Sequence, residues 1–73
     1  MSTARVDYLK SQINHPLPTI RFNAVRALGE LHDKDAVYLL RQISENDRSE
    51  GVRRAAAIAL SDMGYGDEVA ATE

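Results

Sequence analysis

The sequence contains no cysteine, so it offers no disulfide framework and no thiolate for a metal. No apolar run approaches the roughly 18 residues of a membrane span. The opening residues, MSTARVDYLK, hold no apolar core of a secretory signal. A cytoplasmic location, with no membrane partner, is the expectation that follows. An excess of one charge is also missing. Nine Lys and Arg face eleven Asp and Glu, a net of −2, so nothing global draws the chain to nucleic acid.

Catalytic constellations are absent as well. His15 and His32 fall in different loops, with no partner at metal-ligand spacing. Gly64 and Gly66 suit a turn, not a phosphate-cradling loop. No serine has a histidine base nearby in sequence. The expectation is a non-enzyme with no catalytic residue, no metal site and no cofactor.

What is present is a repeat. The stretch Ile20–Leu31, IRFNAVRALGEL, returns at Val52–Met63 as VRRAAAIALSDM. Arg21 maps to Arg53, Ala24 to Ala56, Ala27 to Ala59 and Leu28 to Leu60, each 32 residues on. At about 100° per residue, Ile20, Ala24, Ala27, Leu28 and Leu31 share one stripe. Val52, Ala56, Ala59, Leu60 and Met63 do the same, and the alanines let helices approach closely. A self-similar period near thirty residues signals a solenoid unit.

The preceding helices repeat too. Tyr8, Leu9, Gln12 and Ile13 return as Tyr38, Leu39, Gln42 and Ile43, at an offset of 30. Helices are predicted over about 3–14, 20–31 (from Pro18 at the earliest), 35–45 and 50–63. Ser2 or Thr3 would cap the first, and Asp33 or Asp35 the third. Pro16 breaks the chain after the first helix, and Pro18 suits the first turn of the second. Gly64 is placed to end the fourth. The fold class expected is all-α: two stacked helical hairpins of four helices, A, B, A′ and B′. One domain spans 1–66, with repeats at about 3–33 and 35–64. A short tail, 67–73, resembles the start of a further repeat through DEVAATE.

The pattern of Val or Ile, Arg, two residues, Ala, two residues, Ala-Leu resembles the HEAT-like repeat. It occurs as Ile20-Arg21, Ala24, Ala27-Leu28 and again as Val52-Arg53, Ala56, Ala59-Leu60. The short variety in phycobilisome lyase-like proteins is the most similar, and the resemblance spans residues 4 to 64. It implies a right-handed α-solenoid whose B helices line a concave surface. It also implies an Asp–Arg ladder between repeats, here Asp47 with Arg53, Arg21 or both. His15 stands at the matching place in the first repeat, a departure from the pattern. Metal-binding His-Glu pairs of HEAT-like deoxyhypusine hydroxylases are missing; Glu30 and His32 do not reproduce them. HEAT-like DNA glycosylases use a basic groove. Arg21, Arg26, Arg53 and Arg54 could line a weak basic strip, but two hairpins are too few to enclose a duplex.

Two contrasts between the repeats carry the functional expectation. Asp7 and Lys10 become Val37 and Leu40, so the first helix reads as a polar cap and the third as interior. Asn23 and Arg26 become Ala55 and Ile58, making the fourth helix apolar nearly all round. Either the tail or another chain would cover it, and a homodimer through 50–63 is one solution. The outward face of the B helices carries Phe22, Val25, Arg26 and Gly29 beside Arg54, Ala57, Ile58 and Ser61. A phenylalanine among arginines suits a protein-binding hot spot. The predicted binding residues are Phe22, Val25, Arg26, Arg54 and Ile58. The predicted function is an adaptor or scaffold that binds a protein partner. The alternatives are an accessory factor of phycobiliprotein maturation or phycobilisome turnover, and a weak nucleic-acid binder. Bilin lyase subunits are much longer, so the first alternative would make the chain a partner or regulator of a lyase.

Overall fold

A computed structural model describes residues 2–65, and it contains four helices. They are α1 (Ser2–Gln12), α2 (Pro18–Leu31), α3 (Ala36–Asn46) and α4 (Glu50–Asp62). The tail 67–73 lies outside the described residues. Ser2 and Thr3, the expected caps, both fall within the range of α1. Leu17 precedes α2 without a side-chain cap, and Pro18 opens the helix with the φ it already has. At α3 the Asp33 carboxylate accepts the Asp35 N–H at 2.8 Å, while Asp35 itself caps nothing. Ser49 caps α4 by accepting the Val52 N–H at 3.4 Å.

The two B helices end at corresponding residues with different chemistry. Past α4, Gly64 adopts φ 92°, donates to Ser61 O, and lets Tyr65 N–H reach Leu60 O at 2.8 Å. Past α2, the same left-handed place is filled by His32 at φ 53°. A side chain there is costly, because its Cβ crowds the following carbonyl.

The hairpins α1–α2 and α3–α4 stack through α2 against α4, while α1 and α3 barely meet. Leu28, Leu40, Leu60, Val25 and Val52 are fully buried between the layers, with Val6 and Leu9 of α1 and Ile13 just past its end closing one side. Leu40 is inside where Lys10, its counterpart on α1, is half-buried, in keeping with an outer α1 and an inner α3.

Gly29 explains the tight B–B joint. A Cβ on Gly29 would lie 2.6 Å from the Ala59 Cβ, closer than two carbons can sit. The missing side chain lets the backbones close on the B side while the A helices stay splayed. A stack pinched on one face bends toward it. The B face is therefore the inner, concave one.

Candidate protein-binding face

The concave face is built from two parallel stripes. Phe22, Arg26 and Glu30 follow one another along α2, and Arg54, Ile58 and Asp62 along α4, each four residues apart. Between them runs a cleft of about 200 Å³, with Gly29, Ala55 and Ala59 among its lining residues. Small residues make the floor because large ones would hold α2 and α4 apart. At the N-terminal ends of the helices a second, mostly apolar hollow is lined by Phe22, Pro18, Gly51 and Val52. Phe22 leans over it and stays 37% exposed, while Ile58 is 54% exposed.

Charges on this face are paired within their own helices. Arg54 meets Glu50 at 3.3 Å and Arg26 meets Glu30 at 4.0 Å, all four well exposed. Such i,i+4 pairs contribute only a few tenths of a kcal/mol. Their larger effect is to cancel the basic strip that the arginines alone suggest.

Three sequence expectations are corrected. Val25, expected to face a partner, is 0% exposed and belongs to the core. Gly29 is buried against Ala59 of α4. Ala55, expected to leave the fourth helix uncovered, is 7% exposed and lies against α2. The change from Asn23 to Ala55 thus serves the internal joint; of that apolar pair only Ile58 remains outside. The acidic partners Glu30 and Glu50 were missed, although their i,i+4 spacing from Arg26 and Arg54 is readable in the sequence.

Behind the face, Asp47 ties the repeats together. Its carboxylate accepts from Arg21 Nε at 3.0 Å and Nη2 at 3.1 Å, a two-pronged pair across hairpins. Arg21 Nη1 donates to the carbonyls of His15 at 2.8 Å and Pro16 at 3.0 Å. The guanidinium is thus filled on every side, and Arg21 is 6% exposed. Arg53 reaches Asp47 differently, through Nη1 to the backbone carbonyl at 2.6 Å. Asp47 therefore touches both arginines, one by its carboxylate and one by its main chain. Among the described residues, no buried side-chain nitrogen or oxygen lacks a hydrogen-bond partner.

Burial pushes the Asp47 carboxyl up. The opposing effects win: the Arg21 hydrogen bonds, the Ser49 N–H and the charges of Arg21 and Arg48 bring it below its ordinary 3.8. Beside the pair lies an open hollow of about 240 Å³, lined also by Ile13, Asn14, His15, Asn46 and Arg48.

Among the described residues no cluster of His, Cys, Asp or Glu could hold a metal, and no helix is long and apolar enough to cross a membrane. No curated protein and no solved structure matches the chain. The stacked hairpins and the paired Arg21 and Arg53 positions are what a repeat family would leave. A family model of HEAT repeats does match, over residues 6–72, and the chain belongs to the HEAT-repeat family.

Proposed function

We infer that the chain is a non-enzymatic interaction module that binds a protein partner through the concave B face. HEAT repeats generally serve as protein-interaction scaffolds. The observation that carries the reading is the pair Phe22 and Ile58, two large apolar side chains left in solvent on neighbouring B helices, Ile58 at the small-residue cleft and Phe22 at the second hollow. A partner covering them would remove apolar surface from water at the centre of a polar rim made by Arg26, Glu30, Arg54 and Asp62. Phe22→Ala and Ile58→Glu should each weaken capture of a co-purifying partner by at least about tenfold. Tyr38→Ala, on the opposite side and 72% exposed, should not. Equal loss in all three would remove the B face from the account.

Helix 50–63 as a self-association surface rests on Ile58 alone now that Ala55 is accounted for. Sedimentation at tens of micromolar tests it; a mass of 8.1 kDa unchanged on dilution ends that reading. A role beside phycobiliproteins would use the same face and rests on the repeat resemblance; co-purifying phycobiliprotein is its test. Nucleic-acid binding has little support here, because Glu30 and Glu50 neutralise Arg26 and Arg54.

A further inference from the structure

The concave face changes character along its length. Phe22, Arg26 and Glu30 of α2 correspond to Arg54, Ile58 and Asp62 of α4, each pair 32 residues apart. From the N-terminal ends of the two helices, the levels are Phe22 with Arg54, Arg26 with Ile58, and Glu30 with Asp62. Each step is four residues, about 6 Å along a helix. The first two levels each hold one large apolar side chain and one arginine. The third holds two carboxylates and no base.

That third level stands against its own local electrostatics. Glu30 lies in the last turn of α2, and Asp62 is the final residue of α4. A helix C-terminus carries the negative end of the backbone dipole, so an acid there is unfavourable and a base is favourable. Neither last turn contains a base. Glu30 has Arg26 at 4.0 Å, whereas Asp62 has no ion-pair partner among the described residues. Both carboxylates line the cleft of about 200 Å³, beside Ile58 and His32. The arginine of this cleft, Arg26, is opposed by Glu30, so Asp62 is the charge left over.

Resting on the concave-face reading above, we propose that this cleft receives a lysine or arginine side chain of the protein partner. The cationic head lies between Asp62 and Glu30, at the negative ends of two helices, and the alkyl stem covers Ile58. Apolar residues of the same segment continue over Ile58 and Phe22. A helix repeats its side chains every four residues at the same step of about 6 Å, so the matching segment is a helix with two apolar residues four apart and a base four further along. The chain's own residues 67–73 do not complement the cleft: they include Asp67, Glu68 and Glu73 and no base.

A display library of random peptides about sixteen residues long, enough for four helical turns, is selected on the immobilised chain. Enriched peptides should carry Lys or Arg with apolar residues at four-residue spacing, and should shift the amide resonances of Ile58 and Asp62. Asp62→Asn should weaken an enriched peptide at least about fivefold, and Asp62→Asn with Glu30→Gln at least about tenfold. Asp62→Glu, which keeps the charge, and Tyr38→Ala should leave its affinity unchanged. Circular dichroism confirms that each variant is folded. Peptides that need Phe22 and Ile58, yet bind the double variant as tightly as wild type, would overturn the proposal and leave the concave face standing. Peptides indifferent to Phe22, Ile58 and both acids would overturn both. An acidic or uncharged consensus, or no enrichment at all, overturns the proposal alone. So does binding that appears only once 67–73 are removed, or a dimer that Asp62→Asn dissociates, since the tail or a second copy is then the occupant.

Discussion

Arg21 and Arg53 stand at one and the same place in two hairpins, yet one is enclosed and the other half-open. Both use Nη1 for a carbonyl six residues back. The rest of each environment comes from whatever stacks next. Val25 and Ala57, or Gly29 and Ser61, make the same point: one member of each pair is covered and its counterpart is bare. In a stacked fold, the neighbouring repeat sets the energetic weight of a position as much as the helix that carries it.

The largest losses are expected where both repeats bury the same residue alike. Leu28 and Leu60 both lie at 0% exposure, between layers that exist in both repeats. Leu28→Ala and Leu60→Ala should each cost about 2–5 kcal/mol, read from the denaturation midpoint. A small effect at one of them would mean the repeats are not equivalent even at their core.

The arginines should then diverge. Asp47→Ala strands the Arg21 guanidinium and should cost about 3 kcal/mol. Arg53→Ala loses one bond to a carbonyl and should cost about 1 kcal/mol. Acid sharpens the contrast. The Asp47 carboxyl is held below 3.8 in the folded chain, so its contribution is complete above that value. It is lost as pH falls through the lower, folded value. Asp47→Asn should flatten the stability curve below about pH 4. An unchanged acid limb would mean that Asp47 does not govern it.

At the joint, Gly29→Ala should cost about 1–3 kcal/mol, because the added carbon overlaps Ala59 and neither backbone has room to retreat. Adding Ala59→Gly should recover much of that loss. Ser61→Ala, at the corresponding open place, should fall within about 0.5 kcal/mol of wild type. Smallest of all, His32→Gly should stabilise by about 1 kcal/mol, by giving α2 the ending that Gly64 gives α4. No gain in midpoint would show that the His32 side chain repays its backbone strain elsewhere.

Much of this was legible in the chain itself. The 32-residue offset located both B helices, because their apolar stripes face one core and so keep one period. The Arg21–Asp47 link was expected on resemblance, and the spacing alone would not have chosen between the arginines. What sequence could not give was the direction of stacking. A helical wheel separates buried from exposed only for a helix with one neighbour. Helix α2 has neighbours on several sides, so Val25 and Gly29, off the main stripe, were read as outward. Ala55 was misread for the converse reason: its face looks surplus until α2 is placed against it. The Arg21 bonds to the His15 and Pro16 carbonyls were out of reach, since main-chain acceptors leave no trace in residue identity.

The splay between α1 and α3 has a consequence for how the molecule breathes. Helix α1 is held almost entirely by α2, whereas α2, α3 and α4 hold one another. An element with a single neighbour is the cheapest to release, so α1 opens before the rest unfolds. The Arg21 clamp does not move with it. Its acceptors, His15, Pro16 and Asp47, all lie beyond the C-terminal end of α1, in the loops. The chain can thus uncover the inner side of its first helix, Val6 and Leu9, while three helices and the tie between repeats stay locked.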